Sequence, residues 1–250
     1  MSTNDQPVVV LVHGAFAESA SWNGVIRRLA GRGLRSVAAA NPLRDLEGDA
    51  AYVRDVIAGI GGPVVLVGHS YGGLVISRAA AGSPAVRSLV YVAGFAPEPG
   101  EDAFQLSGKF EGSTLGGTLV TYPVSSGGNE FRIDDDKYHQ QFCADLPAEE
   151  AALMAATQRP VTERALTGEV AADGAAWRDL PSWFVFGELD RNIPAELHRF
   201  MAERASSRGT REIAGASHAV AASQPDAVAA CVLEAAGQAD EAARRTGGAS

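Results

Sequence analysis

The sequence predicts an α/β fold in which a mostly parallel sheet has helices on both faces and carries an inserted lid. Short apolar segments alternate with segments of helical periodicity in the first and last parts of the chain, and the alternation is interrupted once, in the middle. Such alternation builds a parallel sheet with right-handed crossovers, whose ligands lie at the carboxyl ends of the strands. With 250 residues, 46% of them hydrophobic, the chain is long enough to bury one large core.

The predicted strands are short runs rich in β-branched residues that end at a loop. The first is Val8–Val12, which ends at His13 and Gly14. Five further runs stand at residues 34–39, 64–67, 87–93, 183–186 and 210–213. Apolar residues recur at helical spacing between and after these runs, which predicts helices at residues 22–29, 49–60, 74–81, 195–205 and 225–243.

The alternation stops near Pro97 and resumes near Leu180. The residues between are richer in glycine, serine and acidic side chains, with strand-like pieces at 118–122 and 131–133 and a helical piece at 148–157. An unstructured loop of that length inside a compact domain is improbable. We therefore predict that residues 97–180 form an inserted lid on a core made of residues 1–96 and 181–250.

The charge balance argues against a nucleic-acid-binding surface. The chain has 21 basic and 30 acidic side chains, a formal net charge of −9, and no basic cluster longer than a pair such as Arg27 and Arg28. The acidic run at 134–136 lacks histidine or further oxygen ligands at a recognised loop spacing, so we predict a solvated turn there and no metal site.

Two cysteines, Cys143 and Cys231, are too few for a disulfide scaffold, and neither has the spacing of a metal ligand. A reducing compartment fits this usage. The apolar run at residues 8–12 is far too short for a signal sequence or a membrane span. We therefore expect a cytoplasmic protein without a membrane partner.

The segment Gly68 to Gly73, GHSYGG, lies between a predicted strand and a predicted helix. Gly-x-Ser-x-Gly in this context is typical of a nucleophile elbow, a tight turn that exposes the serine hydroxyl at the start of a helix. The free N–H groups of a helix N-terminus favour negative charge nearby. The simpler alternative is a glycine-rich turn with Ser70 as a helix N-cap; the strand–turn–helix context favours Ser70 as a nucleophile.

A serine hydroxyl needs a base to become a nucleophile at neutral pH. The chain has five histidines, at positions 13, 69, 139, 198 and 218. His69 lies inside the elbow and is expected to point away from Ser70, His139 lies in the predicted lid, and position 198 lies within a predicted helix. His13 is expected to order the loop after the first strand. His218 follows the last predicted strand and therefore shares the rim of Ser70, which makes it the base by elimination.

The base needs a carboxylate that fixes its tautomer and stabilises the imidazolium. Glu188 and Asp190 both follow the strand at 183–186, and Asp190 is preferred because the chain order serine, acid, histidine is the order expected of an elbow-bearing fold. Glu188 and the more distant Glu98 remain alternatives. The oxyanion of a tetrahedral intermediate needs two N–H donors, which we assign to the backbone of Tyr71 and of Ala15.

The motifs HGAF at 13–16 followed by Trp22, GHSYGG at 68–73, GELD at 187–190 and GASH at 215–218 resemble those of α/β-hydrolase-fold enzymes, in the branch with plant methylesterases and hydroxynitrile lyases. The resemblance covers most of the chain and is weakest in the lid. It implies a sheet without the two N-terminal strands of the full fold, and therefore six parallel strands.

Two positions depart from the lyases of that branch. Those enzymes place a lysine directly after the catalytic histidine and a threonine beside the oxyanion loop, where this chain has Ala219 and Gly14. Hydrolysis requires neither residue. The sequence therefore favours a serine hydrolase that cleaves small or medium carboxylic esters or lactones and requires no cofactor.

Alternatives with the same triad are a hydroxynitrile lyase, a carbon–carbon bond hydrolase or a perhydrolase, and a different class is a ligand-binding receptor with little turnover. The expected partner is a small-molecule ester. Phe16, Trp22 and Phe95 are candidates for its binding pocket, although Trp22 on the inner face of a helix is a core residue by the simpler interpretation. The sequence leaves open whether the chain forms a homodimer.

Overall fold

The computed structural model describes residues 6–247, with side chains as far as residue 237. Its strands are β1 (Val8–Val12), β2 (Ser36–Ala39), β3 (Val64–His69), β4 (Val86–Val92), β5 (Leu119–Pro123), β6 (Asn129–Ile133), β7 (Val161–Thr162), β8 (Ser182–Gly187) and β9 (Gly209–Ile213). Within the described range, six of them form one sheet in the order β2-β1-β3-β4-β8-β9, and every pairing in it is parallel. The predicted fold class and six-stranded sheet are thereby confirmed.

Helices connect these strands and cover the sheet. They are α1 (Asn23–Ala30), α2 (Leu46–Ile60), α3 (Gly72–Ala80), α4 (Ala103–Ser107), α5 (Asp135–Phe142), α6 (Ala148–Thr157), α7 (Glu163–Leu166), α8 (Ala195–Arg204), α9 (Val220–Ser223) and α10 (Pro225–Gly247). In the central sheet, all residues of β1 and β3 are buried, as expected for central parallel strands covered on both faces, whereas β2 and β9 at the edges are partly exposed.

Several element boundaries differ by a few residues from those expected from the sequence, and two of these differences have a local reason. The helix predicted from residue 49 begins at Leu46, because the Asp45 side chain accepts a hydrogen bond from Gly48 N and caps the helix. Strand β3 extends to His69 instead of ending at 67, since it pairs with β4 along its whole length. Helix α3 begins at Gly72, directly after the turn.

The chain between β4 and β8 forms structure of its own. Strands β5, β6 and β7 pair in an antiparallel sheet, close to the two strand-like pieces expected there, and α4 to α7 flank them. A hydrogen bond from Tyr138 Oη to Phe16 O (2.7 Å) joins this segment to the core, and one from Trp177 Nε1 to Pro97 O (2.7 Å) joins the two ends of the segment to each other. The boundaries of a lid at 97–180 stay a prediction.

Among residues 6–247, no helix is both long enough and apolar enough to cross a membrane. The two cysteines are buried as free thiols, and burial raises the pKa of each to about 12. At neutral pH both are therefore protonated and behave as small apolar side chains.

Candidate active site

Ser70 lies in the turn between β3 and α3, at the carboxyl edge of the sheet. Its φ is 54°, in the left-handed region that residues other than glycine rarely adopt. The turn is closed by a hydrogen bond from Gly73 N to Ser70 O (2.9 Å). A serine held in this conformation at a strand–helix junction has the geometry of a nucleophile elbow.

Two glycines make this turn sterically possible. A Cβ at Gly72 would lie 2.4 Å from the carbonyl oxygen of Val12 in β1, and a Cβ at Gly14 would lie 2.6 Å from the Cβ of Ser70. Real Cβ atoms essentially never approach other atoms this closely. The loops after β1 and β3 therefore meet at backbone distance, which brings Ala15 next to the elbow.

Asp190 and His218 are joined by a hydrogen bond in the loops after β8 and β9. His218 Nδ1 donates to Asp190 Oδ2 (2.7 Å), and both side chains are completely buried. Asp190 Oδ1 accepts from the backbone N–H groups of Asn192 (2.8 Å) and Ile193 (2.9 Å). Burial alone would raise the pKa of Asp190, but attraction to His218 and hydrogen bonds from His198 and His218 outweigh it, so this pKa lies below its ordinary value.

The other nitrogen of His218, Nε2, is buried and has no hydrogen-bond partner among the described residues. It therefore makes no hydrogen bond to Ser70 Oγ, the contact that proton transfer would need. The backbone carbonyl of His218 accepts from His69 Nε2 (3.1 Å), and the two imidazole rings lie 4.7 Å apart. His69, the residue before Ser70, thus holds the loop of His218 in place. The missing hydrogen bond between His218 Nε2 and Ser70 Oγ does not exclude proton transfer, because catalytic hydrogen bonds often tighten only when substrate binds.

In the described part of the chain, the two backbone N–H groups that are candidate oxyanion donors are free, whereas that of the neighbouring Phe16 is hydrogen-bonded. Phe16 N–H donates to Arg159 O (3.0 Å) and is occupied. The backbone N–H groups of Ala15 and Tyr71 make no hydrogen bond within the described part of the chain, and both residues line the same cavity as Ser70. The Tyr71 side chain points elsewhere, since its hydroxyl donates to Asp49 Oδ2 (2.8 Å).

A cavity of about 230 Å³ opens beside Ser70. Phe16 and Phe95, two of the residues expected to bind substrate, line it together with residues of the segment between β4 and β8. Trp22 does not line it: the side chain is completely buried and packs edge-on against His69, with 6.3 Å between ring centroids. The inner face of the first helical segment is core, because the sheet lies directly beneath it.

His198 is the residue of this site that sequence reasoning missed. Its Nε2 donates to Asp190 Oδ2 (3.2 Å), the same oxygen that His218 contacts, and its ring stacks on Phe186 at 4.8 Å. A histidine within a predicted helix carries no signal for such a contact by itself. The spacing of eight residues from Asp190 could have suggested it, because the first turns of α8 follow the Asp190 loop.

His198, His69 and His13 are buried and neutral at pH 7. Burial lowers the pKa of His13 to about 4 and that of His69 to about 3, and it also lowers the pKa of His198. His13 Nδ1 donates to Gly14 O (2.9 Å), and His13 O accepts from Asn41 Nδ2 (2.9 Å), so this histidine orders the loop after β1.

The acidic run at 134–136 is engaged in local contacts. Asp134 accepts from Asp136 N (3.2 Å) at the start of α5, and Asp135 forms an ion pair with Arg132. Among residues 6–237, no group of three or more histidine, cysteine, aspartate or glutamate side chains is arranged to hold a metal ion.

Below pH of about 6.5, the unfolded chain takes up protons on His13, His69 and His198 more readily than the folded chain does, because burial lowers the pKa of each in the folded state. The free energy of unfolding should therefore fall as the pH drops from 6.5 towards 4, by up to about 1.4 kcal/mol per pH unit for each histidine. Urea unfolding between pH 7.5 and 5 measures this. In His198→Gln, which keeps an N–H donor but does not titrate, the slope should be smaller; an unfolding midpoint that is constant over this range would contradict the assignment.

Replacing His198 by phenylalanine should lower the free energy of unfolding at pH 7.5 by about 1.5–3 kcal/mol, because Asp190 loses a donor to a buried charge. Leu197→Met, a conservative change at a buried position of the same helix turn, is the control and should cost less than about 1.5 kcal/mol. Equal effects of the two substitutions would show that the imidazole contact contributes nothing beyond packing.

Comparison with known proteins gives matches over nearly the whole chain. It is 28% identical over 258 residues to alpha/beta hydrolase nvfD of Aspergillus novofumigatus, covering 94% of this chain and 99% of that protein. It is 26% identical over 251 residues to esterase PIR7B of Oryza sativa, covering 90% and 94%. The crystal structure of polyneuridine aldehyde esterase superposes with a TM-score of 0.79 at 20% identity, covering 92% of this chain and 99% of that one.

A family model matches residues 9–231, a range that begins in β1 and includes the elbow, Asp190 and His218. The six-stranded parallel sheet and the strand–turn–helix around Ser70 agree with this match. The chain belongs to the alpha/beta hydrolase family.

Proposed function

We propose that this protein hydrolyses neutral, apolar carboxylic esters or lactones through an acyl-enzyme on Ser70. The observation that carries the proposal is the buried hydrogen bond between His218 Nδ1 and Asp190 Oδ2, which leaves His218 Nε2 without a partner in the described structure, behind a cavity lined by Ser70. The esterase names of PIR7B and of polyneuridine aldehyde esterase support this choice of reaction.

In the proposed reaction, Ser70 Oγ attacks the ester carbonyl while His218 Nε2 takes the hydroxyl proton. Asp190 keeps the Nδ1 proton in place, so Nε2 is the free acceptor, and it stabilises the imidazolium that forms. The N–H groups of Ala15 and Tyr71 receive the oxyanion. His218 then protonates the leaving alcohol, and a water molecule that it activates hydrolyses the acyl-enzyme.

The substrate class follows from the lining of the cavity. The lining residues are Ala15, Phe16, Ser70, Tyr71, Phe95, Ala103, Phe104, Ser107, Gly108, Ser113, Leu115, Gly116, Leu119, Leu166, Asn192 and Ile193, and no charged side chain is among them. Burying an ion without a partner is costly, whereas an apolar chain gains free energy there. The cavity therefore fits a neutral, mainly apolar acyl or alcohol group.

The structure offers no place for the two groups that the related lyases use. A threonine at position 14 would place its Cβ 2.6 Å from both His69 O and the Cβ of Ser70. Ala219 is 3% exposed, and its N–H donates to Phe142 O (3.0 Å). A lysine at this position would bring an ammonium group to a buried site, which costs free energy unless the charge is paired. These positions support hydrolysis over cyanohydrin cleavage.

Ser70→Ala should reduce turnover of p-nitrophenyl esters by about 10⁶-fold if the three residues act as a unit, because the nucleophile is lost.

Asp190→Asn should reduce kcat by about 10⁴-fold with the fold intact, since the wrong His218 tautomer is stabilised. Burst kinetics and acyl-enzyme mass measure the covalent step. Hydrolysis by Ser70→Ala near the wild-type rate would refute the mechanism, and labelling of Ser70 by a fluorophosphonate without turnover of any ester would favour a receptor.

Esters that differ only in charge test the cavity. We expect p-nitrophenyl hexanoate to have a kcat/KM at least about 100-fold higher than the mono-p-nitrophenyl ester of adipic acid, whose free carboxylate would be buried among apolar side chains. Measurement in 0.5 M salt is the control, because long-range repulsion by the acidic surface is screened there while the burial cost remains. Similar values for both esters would contradict an apolar binding cavity.

A further inference from the structure

One polar side chain in the lining of the cavity has a group that the fold does not use. Asn192 lies two residues after Asp190 in the loop that follows β8, and it is only 2% exposed. Its backbone N–H donates to Asp190 Oδ1 (2.8 Å), and its backbone carbonyl accepts from Ser113 Oγ (2.9 Å). The remaining groups are the two ends of its side-chain amide.

The orientation of that amide follows from its neighbour, Gln141 of α5. Gln141 Nε2 donates to the carbonyl oxygen of Arg191 (2.9 Å), and because a carbonyl can only accept, this end of Gln141 must be the nitrogen. Gln141 Oε1 correspondingly accepts from Thr114 Oγ1 (2.8 Å). The same Nε2 donates to Asn192 Oδ1 (2.8 Å), so the oxygen of Asn192 faces Gln141.

The nitrogen of the Asn192 amide, Nδ2, is therefore the end directed away from Gln141. It has no hydrogen-bond partner among the residues that the structure describes, although the residue is almost completely buried and lines the cavity. Nδ2 is not among the fully buried unpartnered atoms of the described residues, so it is accessible at the cavity, where an occupant with an acceptor can take its hydrogen bond. Nδ2 can only donate.

The hydroxyls in the same lining are occupied as donors. Ser107 Oγ donates to Ala103 O (2.7 Å), Ser113 Oγ donates to Asn192 O, and the Tyr71 hydroxyl donates to Asp49. Apart from the reactive Ser70, the Asn192 amide is thus the side-chain donor that the described lining offers to an occupant of the cavity.

We propose that Asn192 Nδ2 binds a second oxygen of the substrate, a neutral ether or keto oxygen carried by the otherwise apolar chain. The inference rests on the proposed esterase function, because the first oxygen is the ester carbonyl at the Ala15 and Tyr71 N–H groups. Asn192 is then a specificity-determining residue. It selects among apolar esters by the presence and position of a hydrogen-bond acceptor.

The test uses p-nitrophenyl octanoate and analogues in which one chain methylene at a time, from the fourth carbon outward, is replaced by an ether oxygen, so that the reactivity of the ester carbonyl stays nearly constant. One oxygen position should raise kcat/KM about tenfold relative to the other positions, which is the contribution of one hydrogen bond. In Asn192→Leu, which keeps the size of the side chain and the backbone N–H to Asp190, this preference should disappear. Ile193→Val, which trims the neighbouring lining residue but leaves the donor, is the matched control and should keep it.

Direct binding of the same esters to Ser70→Ala separates this inference from the proposed function. Titration calorimetry should give the same tenfold preference for one ether position, and the preference should be lost when Asn192→Leu is added. If esters are not turned over but this binding preference is found, the function fails and the Asn192 site stands. Equal values for all positions in the wild type, a preference that survives Asn192→Leu, or an equal loss for every ester in that variant would overturn the role of Asn192.

Discussion

The site depends on backbone segments that approach each other more closely than any Cβ would allow. The loop after β1 and the turn after β3 meet where Gly14 faces the Cβ of Ser70 and Gly72 faces the carbonyl of Val12. Ser70 has its left-handed conformation at this contact, and Ala15 lines the same cavity beside it. Because the approach is set by the packing of two parallel strands, the positions of the hydroxyl and of the two N–H donors are fixed by the sheet.

The buried carboxylate of Asp190 organises the other half of the site. Two backbone N–H groups and two imidazoles donate to it, so its charge is satisfied by four hydrogen bonds without a cationic side chain in contact. His218 lies on one side of this arrangement and His198 on the other. A neutral second imidazole fixes the carboxylate without competing electrostatically with the imidazolium that His218 would become.

The cavity is formed jointly by the two parts of the chain. The loops that follow β1 and β4 supply the aromatic side chains of Phe16 and Phe95, and the chain further on towards β8 supplies apolar side chains such as Leu115 and Leu119. Hydrogen bonds through Gln141 connect that segment to the loop of Asn192. The proposed substrate selection and the position of the carboxylate would thus be coupled through one short loop, since Asn192 both lines the cavity and donates to Asp190.

The sequence by itself predicted the sheet and the strand–turn–helix at Ser70 from local patterns of strand and glycine, and it predicted the pairing of Asp190 with His218 from the order of polar residues after successive strands. Only the tertiary structure decided the contacts of His198, the orientation of the Asn192 amide and the burial of Trp22. The contacts of Trp22 and of the Asn192 amide join residues about 50 positions apart in the chain, and the contact of His198 depends on which face of α8 packs against the loop of Asp190. Periodicity and motifs record how a segment packs against its own neighbours in sequence, and carry no information about which distant side chain completes its hydrogen bonds.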